Sequence, residues 1–230
     1  MDNVWDSVWK KDKYALKKVR KNKATKKFDI FEQMGVDFSK YESVADFGAG
    51  SGYMTLELLE RYRNIHFVKL YDFSDDAICK AKNNLKEFKN VDFIKMDLNS
   101  ENNGIEEKYD FAMAFSVLEH IENYKLGLDT IYNSLTDDGE LILVWSNKNS
   151  IFRVERKISL LFKRWSYGFQ IEMSKKQLDD ILKDKFSIVS YEIVPCVGNK
   201  GCWTFMDWLI HKINYNCGRY IFLYLRKLVK

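Results

Sequence analysis

The stretch Val44-Ala45-Asp46-Phe47-Gly48-Ala49-Gly50-Ser51-Gly52-Tyr53-Met54-Thr55 constrains this chain more than any other. Three glycines at alternate positions separate a short apolar run from an amphipathic one. Residues 43–47 read as a strand, and 55–62, with leucines at helical spacing, as a helix. Glycines at the join let the backbone turn through positive φ and approach a ligand closely. The first N–H groups of the helix then face whatever lies over the loop.

The spacing narrows the ligand. A dinucleotide fingerprint, Gly-x-Gly-x-x-Gly, needs its third glycine where this chain has Tyr53. A phosphate-cradling P-loop needs a lysine before Ser or Thr, and this loop has none. The pattern Asp46-x-Gly48-x-Gly50-x-Gly52 instead resembles motif I of the class I S-adenosylmethionine-dependent methyltransferases. That resemblance implies a loop of Gly48, Ala49, Gly50 and Gly52 against the methionine part of the cofactor, with Asp46 at the strand end.

A second strand, 66–72, ends in Asp72, 20 residues beyond Gly52. A βαβ unit returns an acid at that separation to the same sheet edge, where its carboxylate can accept two ribose hydroxyls. Capping the next helix is the competing role for Asp72, and Ser74 could fill it instead. Phe73 follows and could lie against the adenine. The third strand, 91–96, leads into Asp97-Leu98. There the resemblance implies an acid and a backbone N–H that read the adenine amino group and ring nitrogen.

Residues 109–115 are almost continuously apolar, as a strand buried on both faces should be. They lead into Ser116-Val117-Leu118-Glu119-His120-Ile121, similar to the Val-Leu-Glu-His-Ile segment of small-molecule methyltransferases, including those of ubiquinone and sugar biosynthesis. In some quinone enzymes of that family a Glu three positions before the Glu-His pair completes a divalent-metal site. Here that position is Ser116, so no metal is expected, and Ser116 counts among the cofactor-contacting positions. His120 is the candidate base for a hydroxyl acceptor, because its ring titrates near neutrality. Its alternative is a helix-start residue bonded to backbone, and Glu119 shares both readings.

Elsewhere the pattern alternates. Helices are expected at 4–21, 25–34, 75–89, 123–135, 151–165 and from Ser174, where Ser174 and Gln177 make a capping box. Gly35 would cap the second helix. Further strands are expected at 140–145, after a turn at 137–139, and at 186–194 and 219–228. The expectation is one α/β domain over 1–230, a Rossmann-like, mostly parallel sheet flanked by helices. The resemblance implies the order 3-2-1-4-5-7-6 with strand 7 antiparallel. Residues 1–35 would supply N-terminal helices, packed on the body or serving as a lid; 148–173 and 195–218 would be small cap insertions.

Net charge is +4, but residues 28–147 carry −12 between flanks of +9 at 10–27 and +9 at 148–230. Basic flanks suit a solvated lysine face, an anionic acceptor or an anionic membrane surface. No apolar run is long enough to span a membrane, and no recognised nucleic-acid module appears. Four cysteines without paired spacing fit a reduced, cytoplasmic chain. The expected activity is methyl transfer from S-adenosylmethionine to a small-molecule acceptor, by O-methylation of a sugar, phenol or other metabolite. The alternatives are a lipid, quinone or nucleic-acid acceptor, a non-catalytic cofactor-binding protein, or an oxidoreductase that binds NAD despite Tyr53.

Overall fold

Seven strands form the sheet: β1 (Ser43–Phe47), β2 (Phe67–Asp72), β3 (Val91–Lys95), β4 (Tyr109–Phe115), β5 (Leu135–Ser146), β6 (Phe186–Val194) and β7 (Tyr220–Lys227). The computed structural model describes residues 4–10, 17–101, 103–196 and 201–229. The strands lie in the order β3-β2-β1-β4-β5-β7-β6. All pair in parallel except β7, which runs antiparallel to β5 and β6. Order and hand are those implied by the motif resemblance.

Both faces of the sheet are covered, which is why its central strands show no polar alternation. Along β4, Phe111 and Met113 enter one core, and Tyr109, Ala112 and Ala114 the other. Helices α2 (Lys17–Gln33) and α3 (Tyr53–Arg61) close the first core with Phe28, Phe31, Leu58 and Leu59; α4 (Asp75–Asn84) adds Ala81. Helices α5 (Tyr124–Ser134) and α7 (Lys175–Leu182) close the second with Leu128, Ile131, Leu178 and Leu182. The remaining helices are α1 (Val4–Lys10), α6 (Phe152–Leu161) and α8 (Cys202–Ile213). Among the described residues no helix is long and apolar enough to cross a membrane.

Several boundaries differ from the sequence reading, each for a local reason. Two helices, α1 and α2, replace the expected 4–21 and 25–34; residues 11–16 of the expected first helix lie outside the described residues. Helix α2 starts eight residues earlier than expected because its first half is lysine-rich, good helix-forming sequence without apolar periodicity. It stops as expected at Gly35 (φ 92°), where Val36 N–H reaches back to the Phe31 carbonyl at 3.0 Å. Helix α4 ends at Asn84 rather than at 89, in turns that place Leu85 in the core. Helix α6 ends at Leu161, where Lys163 adopts φ 53° and Arg164 N–H bonds the Ser159 carbonyl at 2.7 Å. Strand β5 begins at Leu135, not 140. Leu135 pairs with Tyr109 and Glu140 with Phe111, so the expected turn at 137–139 is a bulge within the strand. The capping box at Ser174 forms as read.

At the end of the sheet away from the glycine loop, Glu140 is buried but fully paired. It accepts from Arg226 through two nitrogens (3.0 and 2.8 Å), from Tyr224 (2.6 Å) and from Tyr41, and it pairs with Lys40 at 2.6 Å. This network ties β5 and β7 to the segment entering β1.

Candidate active site

The carboxyl ends of β1, β2, β3 and β4 converge on a cavity of about 310 Å³. That lies at the small end of the range for ligand pockets, roughly 300–1,000 Å³. Parallel strands bring their C-terminal residues to one edge, so short motifs far apart in sequence become neighbours.

The glycine loop meets the cavity at Gly48. Gly48, Gly50 and Gly52 have φ of 64°, 56° and 73°. Two of these also sit where no side chain fits: a Cβ at Gly48 would lie 2.2 Å from Val117, and one at Gly50 2.6 Å from the Trp9 ring. Asp72 closes β2 beneath the loop. Its Oδ2 accepts from Gly50 N–H at 2.8 Å and its Oδ1 from Ser74 N–H at 3.0 Å. Each oxygen keeps lone-pair capacity, and Asp72 lines the cavity. Burial raises its carboxyl above the usual range, against the hydrogen bonds from Ser74, Gly50 and Phe73. Ser74 is the N-cap of α4, accepting from Ala77 N–H, so Asp72 is released from that role.

Phe73, Asp97 and Leu98 also line the cavity, with Asn99 beside them. Asp97 Oδ1 accepts from Asn99 N–H at 2.9 Å. On the β4 side stand Ser116 (φ 53°), Val117 and His120. His120 Nδ1 lies 2.8 Å from the Phe169 carbonyl. A carbonyl only accepts, so Nδ1 carries the proton and Nε2 is left as the acceptor of a neutral ring. Burial, the largest cause, and the positive Arg156 lower the pKa of His120, against the Phe169 bond. The ring is therefore held in the form a base requires.

Helix α1 roofs the cavity with Trp5 and Trp9. Trp5 meets the His120 ring edge-on at 4.8 Å and lies 6.2 Å from Tyr167. Asp6 accepts from Ser74 Oγ at 2.6 Å, and toward the helix's C-terminal end the Trp9 carbonyl accepts from Lys80. The helix thus bridges α4 and the loop after α6, a lid's position.

Of the residues singled out in the sequence, Gly48, Asp72, Phe73, Asp97, Leu98, Ser116 and His120 reach the cavity wall. Others stand behind it. Asp46 is buried and accepts from Thr55 Oγ1 at 2.7 Å, fixing the start of α3. Ala49 is not on the wall, Gly50 lies under Trp9, and Gly52 is packed against Leu85 and Ala81. Glu119 is 1% exposed and points away from the cavity. Its oxygens accept from Ser146 N–H (3.2 Å) and Oγ (2.6 Å), while its carbonyl accepts from Ile171 N–H at 2.7 Å. It positions the 3-10 turn that presents His120, rather than facing a substrate. Sequence reasoning passed over Asn99 and Phe169. Asn99 carried a weak signal as the second residue after Asp97, Phe169 none.

Two carboxylates on adjacent strand ends, aromatic and aliphatic walls and a side-chain-free loop fit a ligand with a ribose, a flat polar ring and a slender charged tail. Among the described residues no group of three His, Cys, Asp or Glu side chains could hold a metal ion.

Residues 45–141 match a family model described as a methyltransferase domain. Over 117 residues the chain is 31% identical to a Dictyostelium discoideum protein named "Probable polyketide synthase 26", covering 44% of this chain and 5% of that one. Over 104 residues it is 25% identical to N-methyltransferase 4 of Papaver somniferum, covering 45% and 29%. The chain thus spans less than a third of either curated relative. Its fold is that of the N-methyltransferase NodS from Bradyrhizobium japonicum, a structure in complex with S-adenosyl-L-homocysteine. The TM-score is 0.63 at 14% identity, with all of both chains covered. Residues 45–141 thus resemble a methyltransferase domain, and the fold is one that methyltransferases of known structure share.

Proposed function

We propose that this chain transfers the methyl group of S-adenosylmethionine to a hydroxyl of a small-molecule acceptor. The observation that carries the reading is the convergence of the glycine loop, Asp72, Asp97 and a neutral His120 on one cavity. Bound there, the cofactor supplies a methyl group already activated by its sulfonium. What remains for the protein is alignment and proton handling. Asp72 would accept the ribose hydroxyls, Asp97 and the Leu98 backbone would read the adenine edge, and Gly48 would let the methionine part approach. Trp5 and Trp9 exclude water from above. His120 would take the hydroxyl proton at Nε2 as the acceptor oxygen attacks, with the Phe169 carbonyl bond steadying the imidazolium that results. Calorimetry should show S-adenosylmethionine and S-adenosylhomocysteine binding and NADH not binding. Methyl-labelled cofactor incubated with fractionated small-molecule extract should then give a labelled product. NADH binding in place of S-adenosylhomocysteine would overturn the proposal.

A second reading concerns where the acceptor is met. Helices α6 and α8 pack together and leave Leu160, Leu161, Phe162, Phe205, Trp208 and Ile213 exposed. Arg153, Lys157, Arg164 and Lys212 stand on or next to the same helices. Apolar residues rimmed by cations suit contact with an anionic membrane surface. Flotation should then favour anionic over neutral vesicles and weaken with salt; absence of binding at low salt refutes this reading.

A further inference from the structure

Three cations that make no carboxylate ion pair among the described residues bear on one another near the sheet edge of the cavity. Lys23 and Lys27 are four residues apart on α2 and share a face. Lys27 Nζ stands 5.1 Å from the centre of the Phe115 ring, at the end of β4 and one residue before Ser116 of the cavity wall. Arg219 precedes β7. Its guanidinium lies 3.8 Å from the Phe152 ring centre and 5.1 Å from that of Tyr220, with Nη1 3.6 Å from Cys196 Sγ. Because β7 is antiparallel to β5 and Tyr220 pairs with Ser146, Arg219 stands at the same sheet edge as the cavity. Among the described residues, none of the three makes an ion pair with a carboxylate.

All three are partly withdrawn from water, where a charge is normally paired. Each bears on the others: burial and then Lys23 and Arg219 hold the Lys27 ammonium down to about 8, against the pull of Glu119 and Asp46. Each buried acid that bears on the cluster is held by other donors: Glu119 by Ser146, Asp46 by Thr55, and Asp207 by Ser150 Oγ and Cys196 N–H, while burial pushes Glu119 and Asp46 up to about 7. Glu155 draws on Arg219 only from beyond ion-pair distance. Arg219 lines a small cavity with Ser146, Ser150 and Gln170, which donate to Glu119, Asp207 and Ser146 respectively, and with Glu155 and Glu172, the latter paired with Arg156 at 3.4 Å.

We infer that Lys23, Lys27 and Arg219 anchor an anionic group, a carboxylate or a phosphate, carried by the methyl acceptor. This rests on the methyl-transfer reading for why a substrate comes to this edge. The planar guanidinium, fixed against Phe152, offers a fork to two anion oxygens, and the lysines add point charges. An anion here would meet three cations that make no carboxylate ion pair among the described residues, and it would hold the acceptor at the sheet edge of Ser116 and His120.

The test uses the full chain with inorganic phosphate and acetate as probes, ionic strength being held constant with sodium chloride. Phosphate or acetate should raise the thermal midpoint saturably; whichever saturates at lower concentration identifies the oxyanion. Lys27→Met, which keeps the stem on Phe115, and Arg219→Gln should each raise the half-saturating concentration by about tenfold or more. Without added anion, Lys27→Met should be at least as stable as the parent, because it removes a charge that burial disfavours. No saturable effect in the parent, an equal effect in the variants, or a destabilised Lys27→Met protein overturns the inference. S-adenosylhomocysteine calorimetry on the same proteins separates the two claims. If the cofactor product binds and the anions do not, only the anchor fails; if the product does not bind, the methyl-transfer reading fails.

Discussion

Replacing Asp72 by alanine tests the site most directly, since the structure separates what Asp72 does for the fold from what it can do for a ligand. Its two oxygens hold Gly50 N–H at 2.8 Å and Ser74 N–H at 3.0 Å, shaping the loop and the entry to α4. Both residues are buried, so the freed N–H groups should lower unfolding stability by about 1–3 kcal/mol, lessened where cavity water replaces the carboxylate. The lone pairs left over are what two ribose hydroxyls would use. Losing them should cost about 1–3 kcal/mol of binding, a rise in Kd of roughly 5- to 150-fold. Asp72→Asn keeps one oxygen and the volume, and should fall between the parent and the alanine variant. Urea unfolding measures the first effect and calorimetry with S-adenosylhomocysteine the second. Binding should also weaken as pH falls into the carboxyl range, which burial has raised for Asp72, because the protonated group loses acceptor capacity. A folded Asp72→Ala protein with Kd within twofold of the parent would refute the ribose assignment.

Three further outcomes can be checked. His120→Ala should lower turnover by about 10²–10⁴ with cofactor affinity held, and the acid limb of the parent's rate profile should lie below 6.5, because burial lowers the His120 pKa. Glu140 and Glu119 should give opposite pH slopes in urea unfolding. Glu140 is held at about 2 against an ordinary 4.5, so its share, about 3 kcal/mol, is present above pH 4.5 and lost as pH falls toward 2; Glu119, raised to about 7, favours the fold below 4.5 and loses that share as pH rises through 7. Each Glu→Gln change should flatten its own slope and leave the other. Gly50→Ala, at φ 56° with its new carbon 2.6 Å from the Trp9 ring, should displace α1, seen as red-shifted tryptophan emission and weaker cofactor binding; unchanged emission would mean that α1 does not rest on the loop.

What the sequence disclosed follows from how a parallel sheet works. Strands β1, β2 and β4 are buried on both faces, so their apolar runs stand out, and the residues just past them meet at one edge. The sequence positions of Gly48, Asp72, Asp97 and His120 therefore already point to that edge. Neighbours in sequence were harder to tell apart. Glu119 and His120 share a 3-10 turn, yet one turns inward to Ser146 and the other faces the cavity. Only the tertiary contact with residues 169–171 decides which does which, and that segment lies some fifty residues away with no periodic signal.

Charge shows the same limit more sharply. The +9 at residues 10–27 reads as one basic face, but the fold treats its members differently. Lys21 pairs with Glu60 at 2.7 Å on the α3 side. Lys27 stands over Phe115 with no carboxylate pair among the described residues, and Lys23 shares its face. One helix therefore carries a solvated lysine paired with α3 and another lysine that stands over Phe115 at the end of β4. Composition cannot separate them, because the distinction depends on what the rest of the chain brings near. Arg219, nearly two hundred residues later, supplies the third charge. If the anchor is correct, the acidic body and the basic flanks have one origin. On that proposal the cofactor side would need carboxylates for hydroxyls and an amino group, the acceptor side would need cations for an oxyanion, and the methyl group would pass between them beside His120.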